Sequence, residues 1–286
     1  MKTFTTAENS FLFLQRKMDM ATSFVYPPPP SMLLNTMSVV GLAALAQIGW
    51  SEVRGNHLKY SKFASSPSSP QPQKHRFGSF SSRIGMLLLY TPAFLAAAAS
   101  FFVLPSDDLR FLLLKSALAL HFFKRIFEVL CIHKYSGEMA VDSAFIITSS
   151  YFSSTVLMLY SQTFTLGQTQ PPLDLKLIGI VMFVVGIVGN LYHHVLLAKL
   201  RNEEGGKKVY KIPKGGLFNT IICPHYLFEI IVFWSFFLVS QTIYSFSFAM
   251  GTTFYLVGRS YATRRWYLSK FDDFPKHIKA LVPFVF

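Results

Sequence analysis

An all-α, polytopic membrane protein with about seven transmembrane helices is the fold this sequence predicts, and three observations predict it. The 286 residues are 51% hydrophobic and 16% aromatic but only 14% charged, with a mean hydropathy of +0.38, which lies outside the range of soluble globular domains. Apolar runs approaching the roughly 20 residues needed to cross a bilayer recur along the chain. The basic residues behind the net charge of +13 fall in the gaps between those runs. That placement makes the charge a record of membrane topology and not of nucleic-acid binding.

Taken in order, residues 1–31 read as a poorly structured extension. The apolar patch Phe11–Leu14 is too short for a signal-peptide core and no small-residue cleavage site follows it. Met18 and Met20 read as candidate alternative translation starts, and Pro27–Pro30 as a stiff lead into the first span. Residues 32–286 form the membrane domain, with apolar segments at 33–50, 83–104, 109–131, 141–161, 175–198, 224–241 and 243–263. The second and fifth are the clearest. The first is short, the third is interrupted by His121, Lys124, Arg125 and Glu128, and the last two are joined tightly around Gln241–Tyr244.

Loop charge orients these spans. Arg54, Lys59, Lys62, Lys74, Arg76 and Arg83 follow the first span, and Lys199, Arg201, Lys207, Lys208, Lys211 and Lys214 follow the fifth, so both loops belong to the cytosol. The connections at 106–109 and 162–174 carry no Lys or Arg and belong to the lumen. The C-terminus is then cytosolic and the N-terminus lumenal. The stretch SSPSSPQPQ in the first cytosolic loop reads as a flexible linker. Cys131 and Cys223 are too few for a disulfide framework, and there is no Cys/His metal spacing, no Walker A pattern and no Rossmann fingerprint.

Candidate chemistry lies where polar groups enter apolar helices, because such groups are costly unless they face a cavity or a partner. In the third span His121, Arg125 and Glu128 share one helical face beside Lys124. Either Glu128 orients Arg125 toward an anionic ligand, or the group is an intramembrane ion pair with a lysine snorkelling to the interface. In the fifth span Asn190, His194 and Arg201 descend one stripe, which fits either a long polar ligand or a helix–helix bond. Adjacent His193 and His194 point to different faces, which disfavours a two-histidine metal site. The basic loop KKVYKIPKGGLF with Gly215 and Gly216 permits close backbone approach to phosphate, and Glu229 is the remaining intrusion.

At these residues the sequence resembles the steroid 5α-reductase family. The likeness runs through HFFKRIFE (121–128), Asn190, the LxxLR ending at Arg201, YKIPKGGLF (210–218), CPHYLFE (223–229) and WYLSKFDDFPKHIKALVPFVF (266–286). YPPPPS and SEVRGNHLKYSKF are similar to its plant members. The resemblance implies a multi-pass enzyme of the endoplasmic-reticulum membrane that uses NADPH to saturate a carbon–carbon double bond conjugated to a carbonyl. It places cofactor contacts on Arg125, Asn190, Arg201, Tyr210, Lys211, Glu229 and Tyr267. Animal members carry a Gln-Glu pair where this chain has Leu89-Tyr90, and a tyrosine where it has Phe122. Tyr90 is therefore the expected carbonyl donor, with Leu89 and Phe122 in the substrate pocket. His194 replaces an acid, and its spacing from Asn190 is similar to that in trans-2-enoyl-CoA reductases of fatty-acid elongation. The expected activity is reduction of 3-oxo-Δ4-steroids in plant sterol, brassinosteroid or steroidal-alkaloid metabolism. Alternatives are a very-long-chain enoyl-CoA reductase, a polyprenol reductase, or a non-catalytic membrane partner that kept the cofactor site.

Overall fold

The structure, a computed structural model, describes residues 23–63, 78–135, 137–200 and 210–286. Within them the chain forms seven long helices: α1 Met32–Val53, α2 Ser82–Val103, α3 Leu109–Phe127, α4 Val141–Thr163, α5 Lys176–Lys199, α6 Pro224–Ser240 and α7 Ile243–Lys270. Each begins within one residue of an apolar segment read from the sequence. Four of them, α1, α2, α4 and α5, are long and apolar enough to cross a membrane by length and composition, and α6 is a shorter apolar helix. The molecule is thus an all-α membrane protein. The linker SSPSSPQPQ and Arg201 lie outside the described residues.

Local chemistry sets the helix ends. The Ser31 hydroxyl accepts from Leu34 N–H at the start of α1, the Asp108 carboxylate from Phe111 N–H at 2.8 Å at the start of α3, and the Thr242 hydroxyl from Ser245 N–H at the start of α7. Pro224 opens α6, where a missing N–H costs nothing. The first helix is longer than its apolar run because it continues through Val53, placing Glu52 in its last turn. The third stays helical through its polar stretch because His121, Lys124 and Arg125 are buried against other helices and not in lipid. Its ladder then loosens into a π-helical turn, Glu128–Ile132. A short antiparallel ribbon, β1 Ser79–Ser81 with β2 Glu138–Ala140, ties the entry of α2 to that of α4.

Two helix pairs approach through glycines. Along α5, a Cβ at Gly179, Gly186 or Gly189 would strike Val239, Val232 or Phe228 of α6 at 2.8, 2.7 and 2.3 Å. Between α1 and α7 the contact is backbone to backbone: a Cβ on Gly258 would lie 2.1 Å from the Gly49 carbonyl oxygen. Small residues are what allow such packing where apolar surface alone gives no drive for association.

At one end of the bundle the segment before α1 forms a strap. Tyr26 is buried and donates its N–H to the Gln241 carbonyl at 2.8 Å, and the Gln241 side-chain amide donates to Phe24 O and Leu173 O at 2.7 and 2.9 Å. Gln241 itself takes a left-handed conformation, φ 51, that closes the α6–α7 hairpin. Buried Arg110 joins the same knot, donating to Val239 O at 2.7 Å, Gln241 Oε1 at 2.6 Å and Asp174 Oδ1 at 2.9 Å. At the other end the segment after α7 folds back on the entry to α6, with Ile222 N–H on Lys279 O and Lys279 N–H on Thr220 O, both at 2.9 Å.

Candidate active site

Six helices, α2 to α7, and the segment after α1 line a cavity of about 210 Å³. Leu89 and Tyr90 reach it from α2, Arg125 from α3, Tyr151 from α4, His194 from α5 and Glu229 from α6. Tyr210, Lys211 and Tyr267 complete the wall. The structure therefore gathers seven of the residues expected in a site: Leu89, Tyr90, Arg125, Tyr210, Lys211, Glu229 and Tyr267.

A charged network backs the cavity. Glu128, fully buried in the π turn, accepts from Lys124 Nζ at 2.7 Å, Arg125 Nη1 at 2.6 Å and His194 Nδ1 at 3.0 Å. Lys124 is itself buried and also bonds Asn190 Oδ1, so it does not snorkel. Glu128 and Glu229 together balance Lys124 and Arg125, and it is Lys62 and Lys211 on the wall that leave the cavity lining with more positive than negative groups, which favours an anionic ligand. Arg125 reaches the cavity: its Nη2 donates to the Tyr90 oxygen at 2.6 Å, and its guanidinium lies 4.7 Å from the Tyr90 ring centre. Arginine has no acceptor. The Tyr90 O–H proton thus remains to be given to something else.

Across the cavity Tyr151 O–H donates to Glu229 Oε1 at 3.4 Å, with its ring 5.8 Å from that of Tyr90. Two phenols, one held by a cation and one by a carboxylate, converge there. On the rim Tyr210 packs edge-on against Trp266 at 4.9 Å, and Lys62 Nζ sits 4.8 Å from the centre of the Tyr267 ring.

Two expected residues are not brought to the cavity surface. Asn190 is buried, its Oδ1 taken by Lys124 and its Nδ2 donating to His225 O at 2.8 Å. Phe122 is buried behind Tyr151, ring centres 5.5 Å apart. His193 and His194 do face apart. His193 Nδ1 donates to Gly189 O at 2.7 Å while its Nε2 accepts Leu217 N–H at 3.1 Å, so it latches the turn after Gly215–Gly216 to α5. That arrangement demands the neutral Nδ1–H tautomer, since a carbonyl only accepts and an N–H only donates.

Glu128, His133 and His194 bring ligand atoms within 4.8 Å of one another. Glu128 already compensates two cations, and a metal ion would have to displace them. The arrangement is an ion-pair network first.

Sequence reasoning missed Tyr151, Tyr60, Lys62 and Tyr255 on the cavity wall. Tyr151 had a faint signal, a large aromatic between the serine pairs Ser149-Ser150 and Ser153-Ser154 in an otherwise apolar helix. Tyr255, within α7, had none.

Fold and site together define a class: a helical membrane protein with an aromatic, positively biased cavity built from facing helices. Residues 123–286 match the family described as 3-oxo-5-alpha-steroid 4-dehydrogenase. The chain belongs to that family. A very-long-chain enoyl-CoA reductase of Dictyostelium discoideum is 32% identical over 169 residues, 58% of this chain and 55% of that protein. The steroid 5-alpha-reductase DET2 of Gossypium hirsutum is 40% identical over 111 residues, 38% of this chain and 42% of that protein. The human 3-oxo-5-alpha-steroid 4-dehydrogenase 1 is 36% identical over 110 residues, again 38% and 42%. The matched part thus spans about half the length of these relatives.

Proposed function

We propose that this protein reduces the Δ4 double bond of 3-oxo-Δ4-steroids to 5α-steroids with NADPH, in plant sterol, brassinosteroid or steroidal-alkaloid metabolism. Residues 32–286 would form one reductase domain in the endoplasmic-reticulum membrane, N-terminus lumenal and C-terminus cytosolic, as the loop charges favour. The observation that carries the reading is Arg125 bonded to the Tyr90 oxygen at 2.6 Å, which leaves the phenol proton available to an oxygen in the cavity.

The residues present fit a reduced dinucleotide. Arg125 and the wall lysines Lys62 and Lys211 suit phosphate, and the His225 Nδ1 atom is buried with no hydrogen-bond partner among the described residues, an orphan a ligand would satisfy. Arg125, Tyr210, Lys211, Glu229 and Tyr267 would hold it, together with Arg201, while Asn190 would support α6 from behind. When bound, NADPH supplies hydride to the β-carbon of the enone. Tyr90 would hydrogen-bond the carbonyl oxygen, Arg125 would stabilise the charge that develops there, and a proton from water would complete the α-carbon, giving the saturated ketone. The Glu229 carboxylate, held by Tyr151, accepts an N–H and so fixes orientation. Met86, Leu89 and Ile147 on the cavity wall exclude water and suit an apolar ring system.

A very-long-chain enoyl-CoA reductase is the second reading, favoured by the 169-residue alignment with the Dictyostelium protein. Microsomal turnover with NADPH decides between them, offered progesterone, campest-4-en-3-one, a spirosolane-type 3-oxo-Δ4 compound and a long-chain trans-2-enoyl-CoA. A saturated 3-oxo-steroid bearing a 5α hydrogen is the expected product. Acyl-CoA reduction alone would move the assignment to fatty-acid elongation, and NADPH binding without any product would make it a non-catalytic partner.

A further inference from the structure

A second buried ion pair stands apart from the Glu128 network. Glu52 of α1 and Arg259 of α7 are each 1% exposed, and Arg259 Nη1 reaches the two carboxylate oxygens at 2.8 and 2.9 Å. Burying such a pair is expensive, and apolar packing often stabilises as well, so its retention invites the question of what else it holds. The other side-chain hydrogen bonds of the pair go to one short segment. Glu52 accepts from Leu58 N–H at 3.0 Å and from His57 Nδ1 at 2.7 Å. Arg259 donates to Leu58 O and Tyr60 O, both at 3.3 Å, and its guanidinium lies 4.2 Å from the ring centres of both Tyr60 and Phe63.

Segment 57–63 has little regular structure of its own, only a 3₁₀ turn at Ser61–Phe63 entered through Ser61 at φ 58, a left-handed conformation uncommon outside glycine. Such a backbone persists only where its surroundings over-determine it. Tyr60, Ser61 and Lys62 nevertheless form one wall of the cavity, and the Tyr60 hydroxyl is 2.7 Å from that of Tyr255, also on the wall.

We infer that Glu52 and Arg259 are a positioning pair, joining the first and last helices in order to present residues 60–62 as a fixed wall of the cofactor cavity. The inference rests on the cofactor reading given above. The pair acts through the segment and touches no reacting atom, so it governs NADPH affinity and not the chemical step.

The test uses the full chain in detergent. Arg259→Lys keeps the charge but loses the planar fork that spans carboxylate, carbonyls and rings. We expect its Kd for NADPH to rise about tenfold with kcat nearly unchanged, as loss of one or two charged hydrogen bonds at a binding wall implies. Lys62→Met should weaken NADPH alone, and the double variant should be no weaker than the weaker single, because both act through one segment. Amide hydrogen exchange should show residues 57–63 losing protection selectively. Should Arg259→Lys fail to fold, Glu52→Gln carries the same test at constant volume. Unchanged affinity, strictly additive effects, or unchanged exchange at 57–63 would overturn the inference. Wild-type protein that does not bind NADPH would instead overturn the cofactor reading, and the exchange measurement would still decide whether the pair holds the segment.

Discussion

At the scale of single residues, the site rests on Tyr90 and its guanidinium partner. In the proposed reaction, a buried phenol that accepts from arginine would be the donor for a developing oxyanion. Tyr90→Phe removes that proton and little volume, so kcat should fall about 10²–10³-fold, the usual weight of one such donor, with the NADPH KM barely moved. Steady-state kinetics on the best steroid of the panel checks this. The sequence announced Arg125, Glu128, Asn190, His194 and Glu229 because each is a costly intrusion into apolar phase. Spacing along one helix already put Arg125 and Lys124 within reach of Glu128; it did not announce the third partner, a histidine from α5, which depends on helix contacts that no such spacing encodes. Asn190 Nδ2 donates to the His225 carbonyl at the start of α6, a bond that its type and position in the sequence do not announce.

At the scale of elements, the helix ends were legible because polar caps and apolar runs coincide, as at Ser31, Asp108 and Thr242. The π turn at Glu128–Ile132 and the ribbon at Ser79–Ser81 were not, since each is imposed by tertiary partners on an unremarkable stretch. The glycine contacts also escaped the sequence, because Gly49 and Gly258 gain meaning only when α1 meets α7. Gly258→Ala puts a methyl where the Gly49 carbonyl oxygen stands, 2.1 Å away, and backbone cannot move aside as a side-chain tip can. The expected cost is about 1–3 kcal/mol, the range for overpacking, seen as a lower thermal midpoint in detergent, whereas Gly41→Ala, with nothing within 4 Å, should be silent.

At the scale of the whole molecule, the seven apolar segments gave the helix order directly, while the knot at Arg110 shows what composition could not. One buried guanidinium fastens the loop before α5, the end of α6 and, through Gln241, the strap ahead of α1. Arg110→Met should cost about 2 kcal/mol, the value of hydrogen bonds to a charged group whose acidic partner is partly exposed, and should raise proteolysis near residue 24. Asp174 itself resists mild acid. Burial pushes the carboxyl up, but hydrogen bonds from Lys176 and the Arg110 and Lys176 charges together outweigh this and hold it below the ordinary 3.8, so its contribution is lost only as the pH falls below that value.

The pairing of α1 with α7 also sets a problem of timing during synthesis. Glu52 and Arg259 are 207 residues apart, so at about 5–20 residues per second roughly 10–40 s pass before the first helix can meet the last. For that interval α1 must rest in the bilayer without its partner helix, carrying a carboxylate whose guanidinium partner is not yet made. Its hydropathy of 1.6, with only 17% of its most apolar window buried in the finished protein, equips it to wait.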